Sequence, residues 1–500
     1  MLWFWLTAQA FAADHNVDVG DDWCATLAAA AAGDRVLLAP GTHFGPCSVT
    51  PAGEAGNPIV LSVQDTEARA VVQVTEGSDN LLDLHAGHIE IEGIDFGATP
   101  ANVEAIRLHV GAPLSVRDCT FDFTGSQAIV ANTAGVAYSA IIVEDSVFTN
   151  LSGAAVTVGC FAGESDCSAT DVVIQRNRIT GVTGGAGIVL EQDAVGRVVH
   201  NSVSGTLGPA VRVGGDVAEA GGVEAPAEGD LPSTIVASNH LVGSGNGATL
   251  TIDGGPVLVR NNVVTSGALG AFVAADPSSA DRMDHIHVVG NTFGGGAGPA
   301  VSVSEWLDTA TLSFQNNGVW DPTTPGAGVP AAIGTHPWTG NVACSSETSC
   351  FEDLTGGNPS PRAGGELVGM GVVVEDGLLD VDLCGSERAD GDPSGALVSS
   401  LEDALNVAED RAPTVHCATG GDTGIDSGID SGEPESGPRP GQKDWTAPTI
   451  TDTYTGPAPD PITAAEVAGE TGGISCATGG AATGWVAILI GLVAAGRRER

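Results

Sequence analysis

Glu191, Arg212 and Asp253 carry side chains suited to acting together. Aligned on Val156, Val211 and Leu250, the strand signals of successive repeats place Glu191, Gly214 and Asp253 at one position. Arg212 stands two places earlier in the middle repeat, and the insertion from Gly214 to Leu231 flanks the set. A Glu/Asp pair beside an arginine can do acid–base work, or hold a cation and a sugar acid. The plainer reading is a solvated face with a surface ion pair. His85, His88 and His109 gather near Asp83, but a coil offset of about 25 residues does not set His85 over His109. His285 and His287 alternate on one strand face and read as surface residues.

The elements that must position these groups come from a repeat. Its core is an apolar residue, two variable ones, an Asn or small residue, one variable and another apolar residue. Ile91–Phe96, Val116–Phe121, Val143–Phe148, Ile174–Ile179, Val198–Val203, Val236–Leu241, Val259–Val264, Val288–Phe293 and Phe314–Val319 all fit it. The fourth positions are Ile94, Cys119, Ser146, Asn177, Asn201, Asn239, Asn262, Asn291 and Asn317, separated by 25, 27, 31, 24, 38, 23, 29 and 26 residues. The short separations are bare coils and the long ones carry insertions. A second strand signal follows many blocks, as in Val156-Thr157-Val158, where period-two alternation sends both valines inward. Such coils wind into stacked parallel sheets, here about nine or ten coils. At about 4.8 Å per coil they run roughly 45 to 50 Å. The asparagines then form a ladder, since each amide both donates and accepts. Cys119 shares that column and reads as a buried small residue. Crossover helices for an α/β sheet are absent, and a propeller needs a longer four-stranded repeat. The fold class is therefore all-β, a single-stranded right-handed parallel β-helix.

Composition agrees. The chain of 500 residues has 71 Gly, 12 Phe and 2 Tyr, and Lys443 is its one lysine. A formal charge of −44 excludes a nucleic-acid partner, whose phosphates need Lys and Arg. Ten cysteines indicate an oxidising compartment. Proximity pairs Cys24 with Cys47, Cys160 with Cys167, Cys344 with Cys350, and Cys384 with Cys417. No metal site is read from these cysteines, and no cofactor is assigned; calcium stays open as an alternative. The solenoid needs an end cap, and the helical stretch Asp21–Gly33, just before the strand Arg35–Leu38, supplies one.

The run from Ala32 to Thr42 (AGDRVLLAPGT), with Gly56–Leu61 (GNPIVL) after it, resembles the opening of the pectate-lyase-like β-helix superfamily. Chondroitinase B-like and alginate lyase-like proteins open similarly. The resemblance spans roughly residues 20 to 400 and implies this fold. Asn358–Pro361 and Asp390–Ala396 resemble its closing coils. Lyases of that superfamily abstract a proton beside a uronate carboxylate with Lys, Arg or His, often with calcium; its hydrolases use paired carboxylates. The polygalacturonase signatures are absent here, as is the pectate lyase motif built around a Trp and Asp-His. No lysine lies in the solenoid.

The chain divides into an export signal (1–12), an N-terminal cap and first coil (13–50), the β-helix (51–325) and a disulfide-tied closing cap (326–417). An acidic linker (418–473) follows, too polar to order itself, then a hydrophobic sorting or anchor tail (474–500). That tail, with Cys476, an apolar run and terminal arginines, resembles the C-terminal sorting tails of myxobacteria-like surface proteins. The resemblance implies attachment to the cell envelope or outer membrane, with Cys476 as the processing or lipidation point. Two functions follow as expectations. One is a monomeric, surface-displayed β-helix that binds extracellular polysaccharide or serves in adhesion or as a structural element. The alternative is an extracellular lyase or glycosidase acting on acidic polysaccharide.

Overall fold

The computed structural model describes residues 12–160, 167–214, 232–274, 283–303, 311–331, 337–355, 358–372 and positions 374, 379 and 395. Within them the repeat blocks become two strands each. The first half of a block, such as Ile141–Glu144, joins a 13-stranded sheet, here sheet A. The second half, such as Val147–Thr149, joins the 12-stranded sheet B. The later strand signal, such as Val156–Val158, forms the 10-stranded sheet C. Neighbouring strands in all three sheets are one coil apart and parallel, as in Val143 beside Ile174 and Phe148 beside Ile179. Three sheets wound from successive coils make a right-handed parallel β-helix.

Inward positions fill the bore. Phe96, Phe121 and Phe148 lie one above another with ring centroids 4.6 and 4.7 Å apart. That spacing equals the coil rise, so aromatic stacking and sheet pairing reinforce one register.

Between sheets A and B the chain turns sharply through one left-handed residue. Asp118, Asp145, Arg176, His200, Ser238, Asn261 and Asn316 take φ from +48° to +56° there. A left-handed side chain costs about 1–2 kcal/mol, and the next residue supplies the offsetting bonds. Asn201 Oδ1 accepts from the Asn177 backbone N–H (3.0 Å) and Nδ2 (3.1 Å), while Asn201 Nδ2 donates to Ile174 O (2.9 Å). Asn201 is bonded in turn to Asn239, Asn239 to Asn262, Asn262 to Asn291, and Asn291 to Asn317. The file runs one rung further than the repeat indicated, to Asn341. At its other end Ser146 and Cys119 continue the column, the Cys119 N–H donating to Ser146 Oγ at 3.1 Å.

The cap is shorter than the apolar stretch suggested. The helix is Trp23–Ala29, with Asp22 accepting from the Ala25 N–H at 2.9 Å. Trp23 and Leu27 are buried, and Cys24 is bonded to Cys47. A strand not read from the sequence, Asp14–Val17, pairs with Arg35–Leu38 and starts sheet A.

At the other end, Asn358–Pro361 does not form a coil. It pairs antiparallel with Phe351–Asp353, since Pro359 and Pro361 lack the N–H groups a solenoid strand needs. Phe351, Leu354 and Leu367 pack with Val263, which faces outward on sheet B. Leu379 packs on Leu258 and Val289, outward on sheet A. The closing segment thus covers the flanks of the last coils. Cys344–Cys350 and Cys160–Cys167 are bonded. Cys384, Cys417, Cys476 and the segments 1–11 and 396–500 lie outside the described residues.

Candidate functional site along the edge of sheet C

Each sheet C strand ends on an inward apolar residue, and the residue after it stands at the sheet's edge. Leu84, Leu108, Leu190, Val213 and Ile252 are such inward ends. The register therefore carries His85, His109, Asn132, Gly159, Glu191, Gly214 and Asp253 in one column. Backbone bonds extend the ladder through it: His109 N–H to Leu84 O (2.8 Å), Gly214 N–H to Leu190 O (2.7 Å) and Asp253 N–H to Val213 O (2.8 Å). Six coil steps separate His85 from Asp253, about 29 Å.

Glu191, Arg212 and Asp253 meet at the C-terminal part of this edge. Arg212 Nε donates to Asp253 Oδ2 at 2.7 Å, and its Nη1 lies 3.8 Å from Glu191 Oε2. Gly214, between the two acids, brings no side chain, so the guanidinium reaches across. Burial raises the Glu191 carboxyl above its usual range; Arg212 works against that and Asp253 adds to it. For Arg212, burial opposes the charge, but the hydrogen bond to Asp253 and the two nearby acids hold its pKa above the ordinary value.

The N-terminal part corrects the expected offset of the histidines. His85 and His109 stack face to face, with centroids 4.3 Å apart and planes 8° from parallel. Leu82 pairs with Ile106, so the local offset is 24 residues, and that is what aligns them. His109 Nε2 lies 2.9 Å from Asp83 Oδ1, which also accepts from Asn80 Nδ2 at 3.0 Å. Arg107 Nη1 donates to both Glu104 oxygens at 2.9 Å, and Nη2 reaches Asn132 Oδ1 at 3.4 Å. Asn132 is buried, and its Nδ2 has no hydrogen-bond partner among the described residues. His88 does not join them. It takes φ +54° just before Ile89–Glu92, and its carbonyl accepts from the Ile59 N–H.

Between the two groups Val130, Thr157 and Val189 face out from sheet C yet are buried. The edge therefore offers two accessible polar groups, imidazoles with a carboxylate at one end and acids with a guanidinium at the other, on either side of a covered stretch.

Other chemistry lies elsewhere. His287 is half-buried rather than a plain surface residue, with Nδ1 2.9 Å from Ser313 Oγ, and burial plus His285 lower its pKa to about 4. Burial pushes the Cys119 thiol up to about 12, which suits a packing role. Among the described residues, Cys344, Cys350 and Glu366 are the one group of three with metal-ligand atoms close together. The cysteines there are disulfide-bonded and offer no thiolate. A depression of about 500 Å³ lies on the turns from sheet B to sheet C, around Gly205, Leu207 and Gly243, at the opposite end of the sheet C strands.

The model of the right handed beta helix region family matches residues 104–329. Those residues are a right-handed β-helix region. No curated protein matches the sequence. Among solved structures, the β-helix is similar to pectate lyase Pel9A, at 12% identity and TM-score 0.47 over 78% of this chain and 97% of that one. It is also similar to an alginate lyase from Paenibacillus sp. str. FPU-7, at 16% identity and TM-score 0.37, covering 65% and 91%. The A-module of Azotobacter vinelandii mannuronan C-5 epimerase AlgE4 matches at 14% and 0.32, covering 64% and 94%.

Proposed function

We propose that the protein is a surface-displayed β-helix that holds an extended polysaccharide along the outer edge of sheet C. One observation carries this reading: the accessible His85, His109, Glu191 and Asp253 recur at the same edge position of a strictly parallel stack. A linear polymer is the ligand whose own repeat can follow such a column. The three disulfides among the described residues suit an oxidising, extracellular setting. No helix among the described residues is long and apolar enough to cross a membrane. Display therefore rests on the sequence pattern of the N- and C-terminal segments. The test is titration of the purified protein with a panel of soluble polysaccharides, followed by the same titration after His109→Ala or Asp253→Ala. Binding that both substitutions weaken supports the edge; binding untouched by either removes it.

A second reading is lyase action, favoured by the contact of His109 with Asp83. A carboxylate that orients an imidazole prepares it to take a proton. Following the absorbance of unsaturated products from alginate, pectate and chondroitin separates the two readings. Product formation lost on His109→Ala or Arg212→Ala establishes the enzyme.

A further inference from the structure

We infer that the sheet C edge selects a neutral polysaccharide over an acidic one; this rests on the polysaccharide-binding reading above. Both arginines on the edge already have carboxylate partners. Arg107 faces both oxygens of Glu104, and Arg212 lies between Asp253 and Glu191. With Asp83 included, the described residues of the edge set four carboxylates against two guanidiniums, in a chain of net charge −44. A uronate polymer would bring more carboxylates to a negative surface and would have to displace these ion pairs to be neutralised. A neutral glycan meets no such opposition. Its hydroxyls donate to Glu191 and Asp253, which when ionised are acceptors alone.

The test uses the full chain in affinity electrophoresis against a soluble β-glucan and a galactomannan as neutral probes. Polygalacturonate and alginate are the acidic probes, each with and without calcium chloride. The expected result is binding to at least one neutral polymer at least about tenfold tighter than to either acidic one. The double substitution Glu191→Gln with Asp253→Asn leaves Arg212 without its acids. It should raise affinity for polygalacturonate by about tenfold. If that variant melts early, Glu104→Gln tests the same point at Arg107. Tighter binding of an acidic polymer by the native chain, with or without calcium, overturns the inference while leaving polysaccharide binding intact. Binding of no polymer at all overturns the earlier reading instead.

Discussion

Arg212 and Asp253 are 41 residues apart in sequence, yet their side chains bond at 2.7 Å across a single coil step. The insertion that separates them leaves after Gly214 and returns before Thr234, so strand pairing is undisturbed: Arg212 still lies beside Thr251. The pair is a surface one, with Arg212 42% exposed. Its worth to folding is accordingly small, under about 1 kcal/mol. Its expected role is to hold two acids in place for a ligand.

Arg212→Ala should therefore separate binding from stability. Without the guanidinium, Glu191 and Asp253 repel each other and move apart. If the proposed polysaccharide reading holds, affinity is expected to fall about tenfold, measured by titration, while the denaturation midpoint stays near that of the native protein. A large loss of stability would show that the ion pair is structural.

Asn239→Ala should do the opposite. It removes the acceptor for the Asn201 N–H and Nδ2, and the donors to Val198 O and Asn262 Oδ1. Several buried polar groups lose partners at once, each at about 1–3 kcal/mol. A loss of roughly 3–5 kcal/mol in urea unfolding is expected. Asn239→Asp sets a buried carboxylate oxygen against Val198 O and Asn262 Oδ1, and should cost at least as much as Asn239→Ala at neutral pH.

Some of this was legible in the residues and some was not. The Asn column could be read because its side chains face the bore, where little variation fits. Glu191, Gly214 and Asp253 fell into one column because each directly follows a strand with an apolar-x-apolar pattern. The stack of His85 on His109 does not follow from the coil length between Ile94 and Cys119, which lie on a different side of the solenoid. Turns lengthen independently, so the separation is 25 residues there and 24 where Leu82 meets Ile106. Register belongs to a sheet rather than to a coil. The strand Asp14–Val17 carries no block, and its partner Arg35–Leu38 is what makes it a strand. Val263, Leu258 and Val289 face outward but are buried by the closing segment, a tertiary contact that no local pattern announces.

The bond from Cys24 to Cys47 ties the capping helix to the first strand of sheet C. Closing a loop of this size is worth about 3 kcal/mol. Cys24→Ser with Cys47→Ala should loosen the cap without unwinding later coils, because a solenoid's contacts are between neighbours. Hydrogen exchange is expected to quicken in Asp14–Val17 and Trp23–Ala29 and to stay slow from Ile141 onward. Faster exchange along the whole solenoid would mean that the cap holds the entire stack.

His287 sets a pH dependence of known sign. Burial, with His285 nearby, takes its pKa from an ordinary 6.5 to about 4, so the folded protein accepts this proton later than the unfolded chain does. Its contribution is complete above pH 6.5 and is lost as pH falls from 6.5 toward 4, by roughly 2–3 kcal/mol after solvent screening. Burial lowers His200 and His240 too, and they act in the same direction. Acidic groups also titrate at the bottom of that window, so the informative quantity is the difference between native protein and His287→Asn, which cannot take up the proton. Denaturation at pH 7 and pH 4.5 should show the native protein losing more stability than the variant between the two. Equal losses would place the His287 imidazole in contact with water and ordinary in its titration, and the hydrogen bond to Ser313 would then be a surface contact.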